Sequence, residues 1–111
     1  PIYRPAAYEK IPMRIQFDNE IVRGHTVIEV QAEDHVGLLY DVTRTLADLG
    51  LEVDFARINT EKGAAVDTFY VRETGGGTVT VKERLAEVEH RLRAILEPSR
   101  REPVKTSGRA G

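Results

Sequence analysis

The sequence predicts an α+β domain in which two helices cover one face of an antiparallel sheet, and three observations support this. Apolar residues alternate with polar ones in several short segments, which is the period of strands with one buried face. Two longer segments repeat apolar residues every three to four positions, which is typical of amphipathic helices. Turn-forming residues separate these segments in the order β-β-α-β-β-α.

The composition limits the classes of function that the chain can have. It has 111 residues and a net charge of −2, so we expect one modest core and no nucleic-acid partner. Because cysteine is absent, disulfides and cysteine-ligated metals are excluded. No apolar run approaches the ~20 residues needed to span a bilayer and no secretory signal is visible, so we expect no membrane contact and a cytoplasmic location.

Composition also divides the chain into three parts. Residues 1–12 begin with proline and read as a linker, as in a piece cut from a longer protein. Residues 13–97 carry the periodic apolar pattern of a folded domain. Residues 98–111 hold four basic residues against one acidic residue and few apolar ones, so we expect a disordered basic tail.

The first two strands are expected to pair with each other. Apolar and polar side chains alternate over residues 13–17. Asp18 and Asn19 follow, and both side chains favour turns because they bond nearby backbone. Residues 26–32 are rich in β-branched side chains and form the second strand.

The first helix is expected from about Val36 to Leu49, where Val42 and several leucines share one face. Asp34 stands before it and is expected to cap it by accepting hydrogen bonds from free amides. Gly50 follows the helix, where a left-handed cap is expected.

Two more strands follow the first helix. Residues 51–59 form one of them, and its apolar positions change register near Phe55, which predicts a β-bulge. Residues 66–71 form the other, with Phe69 and Val71 facing the core.

The sheet face turned away from the helices is expected to be half polar. By the same alternation it is lined by Tyr70, Glu29, Gln31, Arg57 and Asn59. Such a face is either solvated surface or a contact surface for a partner domain.

The second helix is expected to start at Thr80, because Thr80 and Glu83 have capping-box spacing. A flexible glycine connector at 75–77 precedes it, an apolar stripe continues to about Glu97, and Pro98 ends it.

This order of elements makes an α+β sandwich of the ferredoxin-like type, with a four-stranded antiparallel sheet under two helices. That fold usually runs β-α-β-β-α-β, with its last strand beside its first. No strand pattern follows the second helix here. We therefore expect the strand at 13–17 to replace the usual last strand and to pair with residues 26–32.

Several motifs resemble those of a known family. The Asp-His-Val-Gly-Leu-Leu turn at 34–39 and the Val-Asp-Thr-Phe-Tyr-Val strand at 66–71 resemble an ACT domain, a small ligand-sensing module attached to metabolic enzymes. Together with Phe-Asp-Asn at 17–19, they make the chain similar to the carboxy-terminal ACT domain of bacterial P-II uridylyltransferase/uridylyl-removing enzymes. The family commonly has Arg-Pro at positions 35–36, where this chain has His-Val.

The resemblance implies a regulatory domain that binds an amino acid, with glutamine as the suspected effector. Its ligand would sit at the turn formed by Asp34, His35, Val36, Gly37, Leu38 and Leu39. It also implies a parent enzyme that adds and removes uridylyl groups in nitrogen control, with its catalytic domains amino-terminal to this chain. ACT domains commonly pair, so another ACT domain or a homodimer is an expected partner.

The chemistry of this turn favours a ligand independently of the resemblance. The amino end of a helix offers free amides and a partial positive charge, which suit a carboxylate. An amino acid, the ligand that the resemblance implies, would place its α-carboxylate on the amides of Gly37 and Leu38 and its ammonium group near Asp34 or a strand end. The simpler alternative is that Asp34 only caps the helix and Gly37 only permits tight packing.

Other classes of function find less support. His25, His35 and His90 lack metal-ligand spacing and have no nucleophile placed beside them, so we expect no catalytic residue, no metal and no cofactor. His90 is expected on a helix surface. A ligand-free interaction or dimerisation module is the alternative, and an RNA-binding sheet would need a basic surface that the net charge disfavours.

Overall fold

The fold confirms the α+β class. A computed structural model describes residues 11–97, and all elements below lie in that range. The strands are β1 (Arg14–Asp18), β2 (Thr26–Glu33), β3 (Leu51–Arg57), β4 (Thr60–Glu61) and β5 (Ala64–Glu73), and the helices are α1 (Leu38–Asp48) and α2 (Lys82–Leu96).

The strands pair antiparallel in the lateral order β1-β2-β5-β3, with β4 beside the start of β5. β1 lies next to β2, where it was expected, with Ile15 opposite Val30. The described sheet has five strands rather than the expected four. The reason is a tight turn at Lys62 and Gly63, whose φ angles of 54° and 81° are both left-handed and fold β4 back onto β5.

The core lies between the sheet and the two helices. Phe69 and Val71 are buried as predicted, while the intervening Tyr70 belongs to the opposite face. Leu46 of α1 and Leu92 of α2 are fully buried against them. Each such side chain contributes about 1.5–3 kcal/mol through its burial, so packing of the helices on the sheet holds the fold together.

The predicted bulge in β3 is present between Val53 and Phe55. Val53 packs toward the core before the bulge and Ala56 does so after it. Phe55 is turned to the other side, where it is 62% exposed and its ring lies 5.3 Å from the ring of Tyr70. The sheet surface that carries these two rings, turned away from the helices, is called the open face below.

Helix α2 begins at Lys82, two residues later than predicted. Thr80 does not cap it and forms no capping box with Glu83, because Val81 is the N-cap residue and no side chain caps the helix. Val81, which was expected to begin the apolar stripe of this helix, is exposed, and Val79 is buried instead. The cause lies in the loop before the helix, which is held against the sheet through Val79.

Two polar side chains hold that loop in place. The Thr26 hydroxyl accepts a hydrogen bond from the Val79 amide at 2.8 Å and donates one to the side-chain oxygen of Asn19. The Asn19 side-chain nitrogen donates to the Val79 carbonyl at 2.8 Å. Asp18 forms the expected turn, since its carboxylate accepts two following amides at 2.7 and 2.9 Å. The Phe-Asp-Asn motif at 17–19 therefore has a structural role at this junction.

Arg84 joins α2 to the ends of α1 and β5. Its guanidinium donates to the Glu73 carboxylate at 2.9 and 3.0 Å and also to the Leu49 carbonyl. The hydrogen bond from Arg84 is the main reason that the pKa of Glu73 is lowered. One side chain thus satisfies a carbonyl that the end of α1 would otherwise leave unpaired.

Some expectations fall outside the described residues. The tail at 98–111 and residues 1–10 of the expected linker are among these. Within residues 11–97, no helix has both the length and the apolar character required to cross a membrane.

Candidate functional site

The six predicted ligand-binding residues comprise the tight turn between β2 and α1 and the first two residues of α1. The Asp34 amide donates to the Gly63 carbonyl at 2.9 Å, and the Leu38 amide donates to the His35 carbonyl at 3.1 Å. The first bond of the helix runs from the Asp41 amide to the Gly37 carbonyl at 2.8 Å. Backbone hydrogen bonds therefore fix the turn at both of its ends.

The expectation that Asp34 caps α1 is wrong. The N-cap residue is Gly37, and no side chain accepts a hydrogen bond from the amides of the first turn. The helix begins at Leu38 rather than at Val36, so the Asp34 carboxylate lies too early in the chain for the N-cap position. Asp34 is exposed and contributes its backbone amide instead.

Gly37 is required by its backbone conformation. Its φ of 86° and ψ of 4° lie in the left-handed region, a backbone conformation that residues other than glycine rarely adopt. A Cβ at this position would meet no atom within 4 Å, so close packing between strand and helix does not explain the glycine. The space beside it is open to a molecule from outside the chain.

Several amides at the start of α1 lack a partner. Among residues 11–97, the amides of Gly37, Leu39 and Tyr40 have no hydrogen-bond acceptor, whereas the Leu38 amide donates to the His35 carbonyl. A helix start usually has one such amide satisfied by a side chain. The expected pair Gly37 and Leu38 therefore shifts to Gly37, Leu39 and Tyr40 as the donors available to an anion.

The two residues at the Arg-Pro position of the family differ in their exposure. Val36 is fully exposed and does not fill the turn. The His35 side chain is 14% exposed, and its Nε2 lies 3.3 Å from the Asp41 carboxylate. Asp41 is in the first turn of α1, where a negative charge also interacts favourably with the helix dipole.

Sequence reasoning missed Asp67, a buried acid close to this turn. Its carboxylate accepts a hydrogen bond from the Asn59 amide at 3.0 Å. Burial raises the pKa of Asp67; the bond from Asn59 opposes this rise, and the Asp34 carboxylate adds to it. The sequence pattern could have revealed it, because Asp67 alternates in β5 with Ala65 and Phe69, which both face the core.

The open face holds a depression of about 350 Å³. Its apolar part comprises Val27, Ile21, Phe17 and Tyr70. Its polar rim consists of Gln16, Asp18, Glu29 and Thr68. Ile21 is 65% exposed, so this face carries apolar surface that its own chain leaves uncovered.

The histidines form no metal centre in the described part of the chain. The Nε2 of His25 lies 2.9 Å from Asp54, which is also bonded by Arg72. These bonds, that of Arg72 above all, lower the pKa of Asp54. His90 is exposed on α2, as predicted.

The fold and the uncapped turn define a small ferredoxin-like α+β module. A family model described as an ACR9-like, ACT-like domain matches residues 14–109. The chain belongs to this family of ACT-like domains.

Curated relatives narrow the comparison. The chain is 43% identical over 90 residues to the bifunctional uridylyltransferase/uridylyl-removing enzyme of Azospirillum brasilense, covering 80% of the chain and 10% of that enzyme. The enzyme of the same name from Gluconobacter oxydans is 43% identical over 96 residues, or 86% of the chain and 10% of that enzyme. The one from Rhodospirillum rubrum is 36% identical over 86 residues, covering 78% of the chain and 9% of that enzyme.

The chain thus spans about a tenth of the length of these relatives. No solved structure gives a significant match.

Proposed function

We propose that this chain is a regulatory ACT domain that senses an amino acid, with glutamine as the effector, at the turn formed by residues 34–39. It would act in the cytoplasm as the carboxy-terminal part of a uridylyltransferase/uridylyl-removing enzyme in nitrogen control. Ligand binding would change how the domain packs on its catalytic neighbours. The relatives indicate the kind of parent enzyme, and the free amides of the turn indicate the kind of ligand.

The uncapped start of α1 is the observation that carries this proposal. The amides of Gly37, Leu39 and Tyr40 have no acceptor among residues 11–97, and the space beside Gly37 is open. An α-carboxylate there would complete the first turn and meet the positive end of the helix dipole. Two charge-assisted hydrogen bonds at ~1.5–3 kcal/mol each contribute about 3–6 kcal/mol, so the ammonium group and side chain of the ligand must supply the rest of a millimolar to micromolar affinity and of the cost of association.

The ammonium group of the ligand needs acceptors on the other side of the turn. Asp34 is exposed there, and the buried Asp67 is close enough for the Asp34 charge to raise its pKa further. A cation between the two carboxylates would relieve their repulsion. An amino acid therefore matches both the donors and the acceptors of the site.

Isothermal titration calorimetry with glutamine tests the proposal on the 111-residue chain. We predict heat of binding for the wild type and at least a tenfold loss of affinity for Gly37→Ala, because a Cβ at φ 86° distorts the turn. Gly24→Ala is the matched control, since Gly24 has φ 82° and no atom within 4 Å of its Cβ position either.

The Gly24→Ala control separates the effect of backbone strain on stability from the loss of the binding site. Gly24→Ala should lose similar stability but keep the heat of glutamine binding. Equal heats from both variants and the wild type, or heat from none of them, would refute binding at this turn.

A ligand-free interaction module is the second candidate, and the open face is the observation that favours it. Phe55 and Ile21 are 62% and 65% exposed there. Association of the chain that is indifferent to amino acids in sedimentation experiments would support this candidate.

A further inference from the structure

The chain enters its first strand from the side of the open face. The Gln31 side-chain nitrogen donates a hydrogen bond to the Pro12 carbonyl at 2.9 Å. Gln31 follows the buried Val30 in β2, so its side chain points to the open face. Arg14 of β1 lies opposite the same glutamine in the sheet. The Pro12 carbonyl is therefore held over the open face, two residues after the segment 1–10.

Three residues of β2 lie in consecutive rows of this face, and the rows differ in chemical character. Gln31 is in the first row, Glu29 in the second and Val27 in the third. Glu29 is exposed and forms no ion pair among residues 11–97. Val27 lines the 350 Å³ depression together with Ile21, which is 65% exposed. Beyond the first row, the face thus offers an unpaired acid and then an uncovered apolar depression.

The segment before Pro12 carries matching side chains at the same spacing. Lys10 stands two residues before Pro12, and Tyr8 stands four residues before it. The rows of the face are also two residues apart, which is about 6.6 Å along β2. An extended segment running back from Pro12 over β2 would place the Lys10 ammonium over Glu29 and the Tyr8 ring over the depression. The same alternation would turn the negative charge of Glu9 away from the face.

We propose that the open face is covered by residues 1–10 of its own chain, with Tyr8 in the depression and Lys10 paired with Glu29. A partner for this face would have to displace the segment first, so residues 1–10 would control access to it. The inference goes beyond amino-acid sensing and needs no ligand at residues 34–39.

A tyrosine side chain suits both the size and the chemistry of the depression. Its volume of about 350 Å³ exceeds the roughly 150 Å³ of a cavity that accepts benzene. The apolar ring would lie against Val27 and Ile21. The hydroxyl group would meet the polar rim, to which Gln16 and Thr68 belong.

The contact needs little intrinsic affinity because the segment is attached beside the face. A short tether gives an effective concentration on the order of millimolar. The buried aromatic ring supplies most of the attraction, and the exposed ion pair fixes the register. We therefore expect docked and free forms of the segment in exchange, with the docked form weakened by substitution of either side chain.

Paramagnetic relaxation measured on the 111-residue chain tests this placement. The chain has no cysteine, so Ala7→Cys provides a single attachment point for a nitroxide label. Residue 7 would point away from the sheet, next to Tyr8, so the label leaves the contact free. We predict that it broadens the amide signals of Val27, Glu29 and Thr68 more than those of α1 and α2.

Substitutions on both sides of the contact sharpen the test. Tyr8→Ala should lower the broadening at Val27 about fivefold or more, because the depression loses its aromatic ring. Lys10→Glu and Glu29→Lys should each lower it about twofold or more, because each brings like charges together. The double variant with both charges exchanged should regain the broadening. Lys82→Glu is the matched control, since it changes charge equally on α2 and should leave the broadening unchanged.

A mixture of spin-labelled chains with unlabelled ¹⁵N chains separates contacts within one chain from contacts between two. We predict no broadening in the mixture. Broadening that arises only between chains would assign the face to a second copy and overturn the proposal. Uniform broadening over the folded domain, or a double variant that does not regain the broadening, would also overturn it. None of these measurements involves glutamine, so their outcome is independent of sensing at the turn.

Discussion

Asp67 shows how a single residue links stability to the site. Burial raises its pKa above that of an unfolded aspartate, so the folded state binds the proton more tightly. Its favourable contribution to stability is fully present below the unfolded pKa and is lost as the pH rises through the folded pKa. Above its folded pKa, the buried charge of Asp67 is therefore unfavourable to folding.

We predict that Asp67→Asn is at least as stable as the wild type at pH 7, because the asparagine oxygen still accepts the Asn59 amide. The advantage should shrink as the pH falls and Asp67 becomes protonated. Urea denaturation at neutral and acidic pH measures this. Asp54→Asn should behave in the opposite way, since Arg72 lowers the pKa of Asp54, and its loss of stability at pH 7 should fade in acid. A destabilised Asp67→Asn at pH 7 would contradict the account.

The residues that the sequence placed correctly are those governed by periodicity. Alternation located Phe69 and Val71 in the core, and the change of register located the bulge at Phe55. The cap at Asp34 failed because a glycine in the left-handed region can serve as N-cap without a side chain. The sequence alone does not decide whether the helix starts after a side-chain cap at Asp34 or after a left-handed glycine at position 37.

At the scale of elements, the junction between β2 and the loop before α2 depends on one hydroxyl group. Thr26→Val keeps the shape of the side chain but leaves the buried Val79 amide without its acceptor and Asn19 without its donor. We predict a loss of about 2–6 kcal/mol in the free energy of unfolding, from two unsatisfied polar groups at ~1–3 kcal/mol each. Urea denaturation measures it.

Thr43→Val is the control for this prediction. The Thr43 hydroxyl is exposed on α1 and bonds only backbone carbonyls of its own helix, so its loss should cost no more than about 0.5 kcal/mol. Equal losses in the two variants would show that the junction does not hold the loop. The same junction explains why α2 starts late: tertiary hydrogen bonds at Val79 override the capping-box pattern at Thr80.

At the scale of the whole molecule, the sequence predicted the class, the order of the long elements and the strand that replaces the usual last one. It missed β4, because a two-residue strand has no periodicity to detect. It also missed Asp67 and the depression on the open face. Both depend on side chains from strands far apart in the chain, which only the register of the sheet brings together.

The two proposed surfaces lie at different places on the domain. The turn at residues 34–39 is at the amino end of α1, whereas the depression is on the sheet face turned away from both helices. Ligand binding at the turn and association through the open face can therefore be measured separately.

Amide chemical shifts of the ¹⁵N-labelled chain during a glutamine titration test the central claim most directly, because the claim concerns particular amides. We predict that the largest shifts fall on Gly37, Leu39 and Tyr40, with smaller ones near Asp67, and that they saturate at micromolar to millimolar glutamine. The amides of exposed residues on α2, such as His90, should not shift. Saturable shifts confined to another region, or none at all in the folded chain, would contradict it.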